Sequence, residues 1–179
     1  MRRFLTLAAA ALLAGPVAAE EIPTHLVAMK KLDFLAGQWA GEATIQRGPG
    51  PKETVKQTED VRFKLGGAVL LVEGTGIGKL PGAADKEGVV FNALATIHYD
   101  AAAKQYRMRA IRMEGHAVDP EFALTDGGFT WGFTEPRSKM QVKYTAKVAD
   151  GTWHEVGAYS RDGKDWTPFF EMTVKRVKE

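Results

Sequence analysis

Residues 32–43 read LDFLAGQWAGEA, and a change of period inside this stretch decides the fold. Leu26, Met29, Leu32 and Leu35 recur at helical spacing, which predicts one short helix over Thr24 to Ala36 with Thr24 as its N-cap. Gly37 suits the helix end. Beyond it the apolar period falls to two, the period of a strand with one face in the core. Trp39 stands alone between Gly37 and Gly41, where the first strand begins.

The same alternation fills the rest of the chain. Met140, Val142, Tyr144, Ala146 and Val148 alternate with Lys139, Gln141, Lys143, Thr145 and Lys147. Val55, Gln57, Glu59, Val61, Phe63 and Leu65 form a second such row, Val89 to Tyr99 a third, and Phe129, Trp131 and Phe133 a fourth. Asp126-Gly127, Asp150-Gly151 and Asp162-Gly163 separate alternating runs, a strong hairpin signal. Gly74-Thr75-Gly76-Ile77-Gly78 reads as strand ends, because glycine is a poor strand former. No second helix is long enough for a crossover. The expectation is an all-β fold: a single closed antiparallel meander barrel of about ten strands with a short N-terminal helix, closed because an open meander leaves edges exposed.

Closure fixes a register. In a meander with an even strand number the first and last strands pair antiparallel. Along the last run, Phe170, Met172 and Val174 point inward, and the same parity turns Arg176 inward at the strand's end. Trp39 and Arg176 are therefore expected to meet at the closure seam, the guanidinium lying across the indole.

A short helix, Gly-x-Trp opening the first strand and an Arg from the last strand against that Trp resemble the calycin barrels: lipocalins, fatty-acid-binding proteins and nitrobindins. The fuller pattern is similar to a bacterial lipocalin-like family of unknown function. It runs through residues 32–41 (LDFLAGQWAG), Tyr99-Asp100, Trp153-His154-Glu155 and residues 160–166 (SRDGKDW). The resemblance implies a barrel with an internal cavity and carries no established reaction. Nitrobindins hold haem through a histidine on the last strand; the matching position here is Phe169, and no histidine follows His154. No haem or other cofactor is therefore expected.

Arg2 and Arg3, the apolar run from Phe4 to Leu13, the break at Gly15-Pro16 and the small residues Val17-Ala18-Ala19 form a secretory signal. Residues 1–19 are read as signal peptide and 20–179 as the barrel domain, placing the protein in the periplasm. The mature chain of 160 residues carries 22 basic residues against 22 acidic ones, so nothing in its charge favours nucleic acid. No membrane insertion of the mature chain is expected. With no cysteine, disulfides are excluded. No motif specifies an oligomeric state.

His25, His98, His116 and His154 follow no metal-ligand spacing, and no Gly-x-Ser-x-Gly offers a nucleophile. What stands out is inward polarity. Glu59 and Gln57 share the inner face of their strand with Val55, Val61 and Phe63. Parity also places Arg112 and Glu114 inward after Tyr106, Met108 and Ala110, and Trp153, Glu155 and Tyr159 form a third set. Charges inside a barrel are costly unless paired or wet. The expected ligand is a small apolar or amphipathic molecule against Phe63, Phe91, Trp131, Phe133, Tyr144 and Phe170, its polar end fixed by Arg112 and Glu59. Two other readings stay open: a filled barrel that contacts a protein partner or the envelope, and an enzyme using Glu59, Arg112 or Glu155 as acid–base groups.

Overall fold

The alternating rows do become strands, joined hairpin to hairpin. The computed structural model describes residues 23–46, 48 and 50–177; the expected signal peptide, residues 1–19, lies outside the described residues. After a helix, α1 (Thr24–Lys30), come β1 (Gly37–Ile45), β2 (Glu53–Lys64), β3 (Val69–Leu80), β4 (Ala83–Asp100), β5 (Gln105–Arg112) and β6 (Ala117–Val118). The second half supplies β7 (Glu121–Thr125), β8 (Gly128–Thr134), β9 (Gln141–Ala149), β10 (Thr152–Ser160) and β11 (Thr167–Arg176). They form one sheet in the order β6-β5-β4-β3-β2-β1-β11-β10-β9-β8-β7. The terminal strands pair antiparallel with Trp39 opposite Arg176, the register expected from parity.

The sheet is not the closed barrel of about ten strands that the meander implied. It has eleven strands and curls into a half-barrel whose edges, β6 and β7, do not pair. The break has a local cause. β6 pairs with β5 only through Ala110–Val118 and Ile111–Ala117. Asp119 is still held to β5 by both carboxylate oxygens, each 2.8 Å from Arg109 Nη1. Pro120 follows, with no N–H to give to a ladder. Beyond it the chain pairs with β8 alone, from Glu121–Gly132 to Thr125–Gly128. Side chains still bridge the unbonded seam, where the Tyr106 and Phe122 rings pack edge to face at 5.7 Å.

The helix is shorter than its periodicity. α1 ends at Lys30, and a separate 3-10 turn spans Asp33–Leu35. Thr24 is the first helical residue; Pro23 occupies the cap position, with no side-chain cap bond. Met29, Leu32 and Leu35 are fully enclosed and plug one end of the barrel. A row of edge-packed and stacked rings crosses this plug from Tyr99 through Tyr106, Phe122, Phe129 and Trp153 to Trp39. Trp39 is 1% exposed. Its indole N–H donates to the Leu35 carbonyl at 2.9 Å, and the Arg176 guanidinium lies 4.1 Å from its ring centroid. Arg176 also donates to the carbonyls of Phe34 and Ala36, tying the last strand to the turn that precedes the first. Gly41 answers why the tryptophan is flanked by glycine: a methyl group there would run into the Thr173 carbonyl of β11.

Two expectations about strand faces need correction. Gly74, Gly76 and Gly78 are not at strand ends but in the body of β3, on its inner face. The β2 side chains Glu59, Gln57 and Val55 lie over them, and a methyl at Gly74 would sit 2.9 Å from both Glu59 carboxyl oxygens. Val89 was expected inward with Phe91. A register shift where Gly76 faces Phe91 and Ile77 faces Val89 turns it outward, 46% exposed, while Val90 packs on the core.

Candidate ligand site

The two ends of the half-barrel differ. At the helix end the inward residues Trp39, Leu70, Ile97, Phe129, Trp153 and Val174 are buried. At the other end the inward residues Phe91, Ala93, Trp131, Phe133, Tyr144 and Phe170 are only half-buried. Along the unbonded seam runs an open cleft of about 990 Å³, lined by Tyr106, Val118, Pro120, Phe122, Trp131, Phe133, Val142 and Trp166 among others. That volume lies in the range of small-molecule sites.

Trp131 joins the cleft to the barrel's polar interior. Its ring stacks on Tyr144 with centroids 3.9 Å apart and planes within 3°. Phe170 packs edge-on against Tyr144 at 5.7 Å. The Trp131 indole N–H donates to Glu155 Oε1 at 2.8 Å, and the Trp153 indole N–H donates to Oε2 at 3.0 Å. Two aromatic rings from β8 and β10 thus hold one carboxyl group between them. Glu155 is 5% exposed, and burial pushes its pKa up to about 7 against the opposing pull of those two donors. Glu59 is 8% exposed and accepts from Gln57 Nε2 at 2.7 Å. Burial pushes its pKa up to about 8; the Gln57 bond lowers it, and the charge of Glu155 raises it further. The two acids are coupled, and both are pushed up by burial. Burial and the same Glu155 charge push the Tyr144 hydroxyl upward.

Arg112 does not face Glu59. It is the last residue of β5, 48% exposed, and pairs with Glu114 at 2.9 Å. Its guanidinium lies 5.7 Å from the centroid of the Phe91 ring. Arg112 and Glu59, expected to fix one polar end together, stay apart because the strand ends at Arg112 and the turn brings Glu114 back beside it. Phe63 stands apart from the cleft, in a smaller hollow of about 310 Å³ beneath the helix with Leu26, Lys30 and Asp33. Trp131, Tyr144 and Phe170 come together, and Phe91 lies beneath Arg112 at the rim. Sequence reading placed Trp153 and Glu155 on one strand face but missed that Trp131 reaches the same carboxyl. The only sign of it was a second inward indole two hairpins earlier.

Antiparallel strands curled around an interior, with a short helix and a Trp–Arg pair plugging one end, make this a calycin-like barrel fold. No protein-family model matches the chain, and no curated protein matches it in sequence. Solved structures match it in fold. The crystal structure of Rv2717c from M. tuberculosis superposes with a TM-score of 0.59 at 8% identity, covering 84% of this chain and 98% of that one. The S-type phycobiliprotein lyase CPES from Guillardia theta superposes with a TM-score of 0.57 at 10% identity, covering 85% and 93%.

Proposed function

We propose that this chain is an exported member of the bacterial lipocalin-like family and binds a small apolar or amphipathic molecule. The observation that carries the reading is the cleft of about 990 Å³ leading to the stacked Trp131–Tyr144 wall. Strand pairing leaves this side of the half-barrel unbonded, so a guest enters without breaking backbone hydrogen bonds. Half-buried aromatic rings give it apolar surface, and Glu59, Gln57 and Glu155 give a polar end. The signal-like residues 1–19 and the ordered motif from Leu32 to Trp166 support export and family.

The test is titration with N-phenyl-1-naphthylamine, a neutral apolar fluorophore. Saturable one-to-one binding, weakened at least tenfold by Trp131→Ala, is the expected result. No saturable binding by the folded protein removes the ligand-site reading. Intact mass of protein from the periplasmic fraction tests export, with the mature chain expected to begin at Glu20.

A further inference from the structure

The acids of the barrel interior have only neutral partners. Glu155 is held by two indole N–H groups and Glu59 by one amide. The nearest guanidinium that parity offered, Arg112, is already paired with Glu114 at the rim. Glu59 Oε2 has no hydrogen-bond partner among the described residues, although its side chain is more than nine-tenths buried. Every fully enclosed side-chain polar atom there does have one. Oε2 is therefore not fully enclosed, and it lacks a partner.

The aromatic wall agrees in sign. Trp131 and Tyr144 cover one face of each other, so the outer face of Trp131 is the one turned to a cation, which gains most from it in a desolvated site. An anionic head would meet two carboxyl groups, neither of them bonded to a basic side chain among the described residues, and like-charge contact in a dry site is costly. Burial already holds both acids near neutrality. A bound cation would favour the ionised form that the empty site disfavours.

We propose that the polar end of the ligand is a protonated amine, seated between Glu59 and the Glu155–Trp131–Tyr144 wall with its apolar tail in the cleft. This rests on the ligand-site reading above and gives it a chemical class, an amphipathic ammonium rather than a fatty acid.

Three ligands with the same tail separate the outcomes: octylammonium, octanol and octanoate, each displacing N-phenyl-1-naphthylamine at about pH 8, where Glu155 is ionised. The expected order is octylammonium ahead of octanol by about tenfold or more, and octanoate last. In Glu59→Gln and Glu155→Gln, each checked for native circular dichroism, the ammonium-to-alcohol ratio should fall towards one. Octanoate matching or beating octylammonium in the wild-type protein overturns the proposal, as does a ratio that survives both substitutions. The wild-type order decides the matter even where a variant fails to fold. If the neutral fluorophore binds but no ammonium preference appears, this inference fails and the ligand site stands. If the fluorophore does not bind, both fall.

Discussion

Glu59→Gln should make the protein less sensitive to pH over the range in which wild type weakens. In the unfolded chain this carboxyl ionises near its ordinary value of 4.5, and in the fold near 8. Between those values the native state holds a proton that the unfolded state has lost. The stability from this group is fully present below 4.5 and is lost as the pH rises towards 8. From about pH 5 to pH 7 the loss comes to about 2–3 kcal/mol for Glu59 alone. Glutamine keeps the shape, can still accept from Gln57, and does not titrate. Glu155 is present in both proteins and Glu59 is not among the causes of its shift, so its own contribution stays in both. Asp100, Glu114, Glu135 and Asp162, all held below their usual range by backbone hydrogen bonds first of all, cancel in the comparison. Urea unfolding at about pH 5, 6 and 7 gives the variant-minus-wild-type difference. It should move by about 2 kcal/mol in the variant's favour across the series. A difference that stays flat would mean that Glu59 is wet or paired in the fold, and the reasoning about the interior would be wrong.

Three further outcomes follow from the geometry. Trp39→Ala should cost about 3–5 kcal/mol, and a double-mutant cycle with Arg176→Ala should show coupling, whereas strict additivity would contradict the 4.1 Å contact. Gly74→Ala should cost about 1–3 kcal/mol by pressing a methyl on the Glu59 carboxyl, and Glu59→Ala should relieve part of that cost. Hydrogen exchange should be slow for the paired amides of β1 and β11 and fast for the β7 amides that do not face β8; equal protection would mean that the seam beside Pro120 is bonded in solution.

What the sequence showed, and what it hid, divides by the range of the interaction. Alternation is a local property, so Val55 to Phe63 of β2 and Val142 to Val148 of β9 could be read residue by residue, whereas Leu65, expected inward with them, falls past the end of β2 and is 79% exposed. The Trp39–Arg176 pairing came out as expected although its premise, closure with an even strand number, did not hold: eleven strands form, and the unbonded β6–β7 seam lets β1 and β11 still pair antiparallel. The glycines of β3 were misread because their reason lies on another strand: Glu59, Gln57 and Val55 occupy the space their side chains would need. Val89 was misplaced by one shifted register, which flips every parity beyond it. Arg112 had the right parity, but parity loses its meaning where a strand ends and a long side chain can reach its neighbour in the turn. The open seam follows from a single proline whose effect depends on which strand lies alongside.

The seam has a further consequence for the chain as a piece of covalent chemistry. β1 to β6 form one run of hairpins and β7 to β11 another, and among the described residues the only strand pairing between the two runs is β1 with β11. The peptide bond from Asp119 to Pro120 links them at the opposite side. Cutting it would remove no strand pairing, since Trp39 to Ile45 would still lie against Phe170 to Arg176. The molecule is in effect two fragments that recognise each other through the residues at the chain's own ends, Trp39 from one and Arg176 from the other. A protein nicked after Asp119 should stay together as a native heterodimer. The proposed ligand would then lie at a junction between two polypeptides, with Glu59 contributed by one and Glu155, Trp131 and Tyr144 by the other.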